Sequence, residues 1–273
     1  ARAAEELDGV APLSEVPLLA LRHHAGAGRV HLLTRDAEER LTGYAQVWRA
    51  DGATAELVVR PDARRRGLGR ALADAVVAAA DGPVQVWAHG ELPGAVALAR
   101  AAEFTRARAL WQMRRSLTDE IPAPALPKGV RLRTFRPGQD EAAWLALNAR
   151  AFADHPEQGR WTSDDLRTRM AEPWFDPQGF LLAEQDGRLV GFHWTKVHPG
   201  PPPIGEVYVL GVDPGGHRRG LGAALTLAGL RHLRARGLAT AMLYVDETNR
   251  AAVALYQRLG FTRWSVDALY THP

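Results

Sequence analysis

Two segments rich in glycine and arginine carry the chain's first chemical signal. Residues 61–69 read PDARRRGLG and residues 213–222 read DPGGHRRGLG. Each stands between a strand-like run and a helix-like run. Glycines let the backbone turn so that successive N–H groups converge, and a helix N-terminus adds partial positive charge. Together they make a cradle for a pyrophosphate-like anion, with arginines to screen further phosphate charge. Two nucleotide loops fail against these residues. A Walker A loop needs G-x4-G-K-[ST], but Leu221 and Gly222 follow Gly220. A dinucleotide loop needs G-x-G-x-x-[GA], but Leu225 fills the last position after Gly220 and Gly222, as Leu72 does in the first copy. No His-x-x-x-His pair suggests a metal site, and the absence of cysteine removes disulfides, thiolate metal sites and a cysteine nucleophile.

The elements that would position the second cradle follow from periodicity. Residues 205–212 alternate as a strand, placing Glu206, Tyr208, Leu210 and Val212 on one face. Residues 220–236 keep helical spacing at Leu221, Ala224, Leu225 and Ala228, and Gly237 ends that helix. Strands are expected at 130–135, 239–245 and 261–270, and helices at 138–151, 164–171 and 250–258. Residues 179–185 and 188–197 form a hairpin turning at Asp186-Gly187.

The chain repeats this plan. ELVVRPDARRRGLGRAL (56–72) matches VLGVDPGGHRRGLGAAL (209–225), and AVALARAAEF (95–104) matches AVALYQRLGF (252–261) in the same order. Pro122, Pro124 and Pro127 mark an extended linker. The expected organisation is an N-terminal domain over 1–122, a linker over 123–129 and a C-terminal domain over 130–273. Each domain is an α/β unit with a mixed twisted sheet flanked by helices.

The two loops RRRGLG (64–69) and HRRGLG (217–222) resemble the [QR]-x-x-G-x-[GA] pyrophosphate loop of the GCN5-related N-acetyltransferases. DGVAP (8–12), WAHG (87–90), HPEQGRWT (155–162), WFDP (174–177), GFHWTKVHP (191–199), GEVYVLGVDP (205–214) and NRAAVALYQRLGF (249–261) extend the likeness over nearly the whole chain. They resemble the mycothiol synthase family, tandem acetyltransferases that acetylate the cysteinyl amine of Cys-GlcN-Ins. The resemblance implies acetyl-CoA as cosubstrate, no metal, and a mainly C-terminal site. It assigns Glu206 as base and Tyr256 as general acid, and takes Glu15, Glu157, Lys196, Glu206 and Tyr244 as acceptor ligands. It places acetyl-CoA on Leu210, Gly211 and Val212, on the loop His217, Arg218, Arg219, Gly220, Leu221, Gly222 and Ala223, and along Asn249, Arg250, Ala251, Ala252, Val253 and Ala254. In the first copy the corresponding residues are Leu57, Val58, Val59, Arg64, Arg65, Arg66, Gly67, Leu68 and Gly69. His217 departs from the Gln or Arg of the family loop.

The chemistry suits these residue types. A carboxylate at Glu206 could take the proton of an amine that titrates at about 7.7–8, and a phenol of ordinary pKa about 10 could protonate a departing thiolate. Carboxylates and Lys196 can hold the hydroxyls and ammonium of a pseudo-disaccharide. Plain structural roles stand beside these: a solvated strand-edge acid, a half-buried aromatic, a solvated lysine. Trp161, Trp174 and Trp194 could wall a cavity or fill the core. The N-terminal copy keeps a full cradle but has Ala53 and Ala99 opposite Glu206 and Tyr256, so it is expected to be non-catalytic. Glu56 aligns with Val209 and is expected on the other face.

Composition bounds the remaining classes. Net charge is +3, and only Lys128 and Lys196 are lysines among 34 basic residues. Those charges are scattered and matched by acids, which argues against a nucleic-acid surface. No apolar run approaches the ~18–20 residues of a membrane span, and no secretory signal opens the chain. A cytoplasmic monomer acting on small molecules is expected. Two alternatives stand beside the leading assignment: a tandem acetyltransferase for another amine, such as an aminoglycoside or peptide, and a non-catalytic acyl-CoA sensor. Glu206 and Tyr256 argue against the sensor.

Overall fold

The computed structural model describes residues 1–23, 28–49, 52–153, 155, 158–216 and 220–273. They form two compact units. Unit 1 holds residues 1–111, 246–248 and 265–273; unit 2 holds 112–245 and 249–264.

Unit 1 opens with α1 (Arg2–Asp8) and α2 (Glu15–His23), followed by β1 (Arg29–Arg35), β2 (Leu41–Trp48) and β3 (Ala53–Val59) as antiparallel neighbours. The cradle segment leads into α3 (Leu68–Ala80). β4 (Val84–Ala88) then pairs parallel to β3, and α4 (Pro93–Ala101) and the first part of β5 (Thr105–Ser116) follow. The end of β11 (Thr262–His272) returns here and pairs antiparallel with β4, through Ala268↔Ala88 to His272↔Val84. Ala53 and Ala55 of β3 meet Leu72 and Val76 of α3 in the core. On the opposite face, Val58 packs with Ala4 and Leu13.

Unit 2 repeats the order. It runs β6 (Arg131–Thr134), α5 (Glu141–Ala151), α6 (Ser163–Met170), β7 (Phe180–Gln185), β8 (Arg188–His198), β9 (Ile204–Val212), α7 (Leu221–Ala235), β10 (Thr240–Asp246) and α8 (Arg250–Arg258). β6 to β9 are antiparallel neighbours, and β10 lies parallel to β9. Local chemistry explains several boundaries. Asp186 (φ 50°) and Gly187 (φ 74°) make the tight turn of the β7–β8 hairpin. Thr162 and Asp165 cap α6 reciprocally. Asn249 caps α8 by accepting from the Ala252 N–H at 3.1 Å.

The alternation expected for β9 breaks at one residue. Trp194 pairs with Val209 but Thr195 pairs with Val207, so Tyr208 is the extra residue of a β-bulge. Below the bulge Glu206 and Tyr208 share a face. Above it Val209 joins the aromatic core on that same face, whereas Leu210 and Val212 pack towards Leu221 and Leu225 of α7. The four residues therefore do not line one face: the bulge adds one residue and inverts the pattern. No bulge interrupts the β2–β3 register. Glu56, the counterpart of Val209, consequently lies on the face opposite α3, just as Glu206 lies opposite α7. The expectation that it points the other way is corrected by the same bulge.

Candidate active site

The two cradles begin their helices in the same way. Gly67 (φ 85°) and Gly220 (φ 90°) are left-handed N-caps with no side-chain cap hydrogen bond. The first N–H groups of α3 and α7 are thus left without an intrahelical partner, which suits an anion. A side chain at Gly69 would approach Leu98 at 3.4 Å, and one at Gly222 would approach Leu255 at 3.6 Å. The two repeated motifs therefore touch each other: the second cradle glycine lies against the leucine of the A-V-A-L helix in both units. Leu221 is wholly buried and Val253 nearly so, so these positions could offer a ligand only backbone. His217, Arg218 and Arg219 lie outside the described residues. In the first cradle Arg64 grips Asp8 through two parallel hydrogen bonds of 2.8 and 2.5 Å, and Arg65 and Arg66 are exposed.

Beside the second cradle the sheet opens. β9 pairs with β10 only from Gly205 to Val207, although β9 continues to Val212 and β10 to Asp246. From Tyr208 onward, including Leu210, Gly211 and Val212, that edge of β9 has no strand partner among the described residues. A slot lined by backbone amides can accept an extended amide-bearing ligand as an added strand does. An anion-suited helix N-terminus at one end and an open strand edge at the other suit an elongated ligand with an anionic end. Leu57, Val58 and Val59 extend past the β3–β4 pairing, which ends at Glu56↔Trp87.

Glu206 sits where the slot begins, directly opposite Lys196 of the neighbouring strand β8. Both are buried, at 6% and 8% exposure. The Lys196 ammonium lies 4.6 Å from the Trp174 ring centre and 4.9 Å from that of Tyr208, a cation–π cage. The Tyr208 hydroxyl accepts from Arg169 Nε at 2.8 Å. Below them Trp194 is fully buried, stacked on Phe180 at 4.4 Å and edge-on to Trp144. Trp194 therefore fills the core. Trp161 and Trp174 are its partly buried neighbours, and Trp174 also faces the lysine.

Nothing in the sequence by itself gives His198 a role. Its Nε2 lies 2.6 Å from Glu206 Oε2. Counting pairs outward from the loop at 199–203 gives His198↔Ile204 and Lys196↔Glu206, so the register of the hairpin held the signal. Burial alone would raise the Glu206 carboxyl. The hydrogen bond and charge of His198, with the charge of Lys196, outweigh it and hold the group below the usual carboxylate range.

Tyr256 lies on the buried face of α8, edge-on to Phe261 at 5.8 Å, and burial pushes its phenol up to about 12. Tyr244 follows Met242, the β10 residue beside Glu206, by one alternation, and it is exposed. Its hydroxyl accepts from Gln112 Nε2 at 2.8 Å. Glu15 stands in the first turn of α2, in unit 1; Glu157 lies outside the described residues. Glu206, Lys196 and Tyr208 are brought together.

In unit 1 the Glu56 carboxylate accepts from the Ser14 N–H at 2.6 Å and the Ser14 hydroxyl at 2.5 Å. It also lies 3.4 Å from His89 Nε2, while His89 Nδ1 meets Asp267 at 2.8 Å. Among the described residues no group of three or more His, Asp or Glu could hold a metal ion, and no helix is long and apolar enough to cross a membrane.

Residues 143–261 match the acetyltransferase (GNAT) family, and residues 27–109 match an acetyltransferase (GNAT) domain. The chain is 61% identical over 274 residues to a mycothiol acetyltransferase of Thermobispora bispora, covering 99% of this chain and 92% of that protein. It is 61% identical over 278 residues to another from Salinispora arenicola, covering 99% and 90%. A GCN5-related N-acetyltransferase from Sphaerobacter thermophilus superposes with a TM-score of 0.75 at 26% identity, covering 99% of this chain and 89% of that one. A tandem GNAT protein from the clavulanic acid biosynthesis pathway superposes at 0.74 with 22% identity, covering 94% and 86%.

Proposed function

We propose, for a chain that belongs to the mycothiol acetyltransferase family and carries two GNAT domains, that its own residues divide the reaction as follows. The protein is an acetyl-CoA-dependent N-acetyltransferase of mycothiol biosynthesis, acetylating the cysteinyl amine of Cys-GlcN-Ins. Acetyl-CoA supplies the activated acetyl group and leaves as CoA. Gly220, Leu221, Gly222 and Ala223 present backbone N–H groups to its pyrophosphate, and the free edge at Leu210, Gly211 and Val212 takes its amide arm and polarises the carbonyl. Asn249 and residues 250–254 flank it.

Glu206 accepts the proton of the acceptor ammonium, directly or through a water. It is ionised at neutral pH, and an amine titrating near 7.7–8 needs only modest help. Lys196 donates to acceptor hydroxyls from its aromatic cage, and Tyr244, Glu157 and Glu15 supply further contacts. Tyr256 donates a hydrogen bond towards the departing sulfur.

Unit 1 does not catalyse on this assignment. Glu56 lies opposite α3 in unit 1, the position in its own unit that Glu206 holds opposite α7, but Ser14 and His89 take up its carboxylate. The first cradle keeps its glycines, yet Arg64 is committed to Asp8. The protein is assigned to the cytoplasm as a monomer on two small substrates, without nucleic-acid or membrane partners.

The observation that carries the assignment is a buried, charge-held carboxylate placed where β9 leaves β10. CoA release with Cys-GlcN-Ins, cysteine and an aminoglycoside tests it. Turnover confined to Cys-GlcN-Ins is expected; equal turnover with all three would detach this acceptor from the site.

A further inference from the structure

We infer that His198 is a proton-relay residue: it carries the proton that Glu206 takes from the acceptor out to solvent. The inference rests on Glu206 being the base. Three observations support it. His198 Nε2 is 2.6 Å from Glu206 Oε2. The Glu206 side chain is 8% exposed, whereas that of His198 is 37% exposed, so the imidazole spans from the buried carboxylate to water. Among the described residues Nδ1 has no protein partner, and His198 ends β8 beside the loop at 199–203.

A buried base that accepts a proton at every turnover must also lose it. Lys196 lies opposite Glu206 on β8, and burial disfavours water as the direct acceptor. Imidazole has two nitrogens, so it can take a proton at one and release another at the other. The acceptor's N–H bond breaks as an O–H bond forms on Glu206. With Glu206 ionised, Nε2–H donates to it and Nδ1 is bare; once Glu206 is protonated the ring turns so that the bare nitrogen faces the new O–H. That O–H breaks as an N–H forms on the facing nitrogen, and the proton on the solvent-side nitrogen leaves to water, which leaves a neutral imidazole donating to the ionised carboxylate as before. Charge and protons balance without another reactant. Among the described residues the charged and titratable groups on this face include Glu206 and Tyr208 on β9, Lys196 on β8, Tyr244 on β10, and Arg169 on α6 bonded to Tyr208.

The test compares wild type, His198→Gln, His198→Ala and Glu206→Gln across pH, with acetyl-CoA and Cys-GlcN-Ins. Glutamine can still donate a hydrogen bond to Glu206 but cannot pass a proton on. The relay predicts that His198→Gln lowers kcat about tenfold or more while both KM values stay within about twofold. It also predicts that added imidazole restores His198→Ala in a saturable way. His198→Gln turning over like wild type, beside an inactive Glu206→Gln, would overturn the relay and leave the base in place. A loss in His198→Ala seen only in KM and untouched by imidazole would overturn it too. Full activity in Glu206→Gln would instead overturn the base assignment itself.

Discussion

At Glu206 and Tyr256, burial acts on two acids with opposite outcomes. Burial alone would raise the Glu206 carboxyl, but His198 and Lys196 reverse that and hold it below the usual carboxylate range. Replacing Lys196 with methionine removes one of those charges, so the Glu206 carboxyl rises. The acidic limb of kcat/KM should then move to higher pH, and the acceptor KM should increase; a pH profile of both parameters checks this. Tyr256 has no such partner and is pushed up to about 12. Against a thiol near 8.5, complete proton transfer from that phenol is uphill by about 5 kcal/mol. Tyr256 therefore serves as a hydrogen-bond donor to developing charge on sulfur. Tyr256→Phe should lower kcat by about tenfold to a hundredfold, and steady-state kinetics should show no basic limb belonging to Tyr256 below about pH 12. These environments depend on how deeply the fold buries each group and on the hairpin register that brings His198 and Lys196 to Glu206, so the residue types were legible in the chain but their protonation was not.

The strand β9 shows which parts of the elements a sequence encodes. The hairpin turn at Asp186-Gly187, the leucine spacing of α7 and the repeated cradle–helix pair were all readable, because each is a local pattern. The bulge at Tyr208 was not, since one extra residue on one strand appears only when the partner strand is in place. It alone puts Val209 on the Glu206 face and sends Leu210 and Val212 towards α7. Gly211 answers a demand of the same region: a Cβ there would lie 2.7 Å from Phe192 and 3.1 Å from Ala151. Gly211→Ala should overpack this contact and cost about 1–3 kcal/mol, read as a lowered urea midpoint with an unchanged slope.

Over the whole molecule, the chain's last residues complete its first unit. Ala268 and Tyr270 pack with Ala99, and Asp267 holds His89. No linear reading of composition could place residues 265–273 there, because the partners lie more than 160 positions away. Burial opposes charge on His89, but Asp267 and Glu56 outweigh it and raise the group to about 10. A raised folded value means the stabilisation is complete below the unfolded value near 6.5 and is lost as pH rises towards 10. Urea midpoints should therefore fall between those limits in wild type and fall less in His89→Gln. Removing residues 265–273 should leave residues 1–111 open to limited proteolysis. The most direct measurement of the central claim is CoA release from acetyl-CoA with Cys-GlcN-Ins, comparing wild type with Glu206→Gln. Loss of about a hundredfold or more in kcat with acetyl-CoA binding retained is the predicted result. Turnover equal to wild type would contradict it, since the chemistry would then not pass through the carboxylate at the opening of β9.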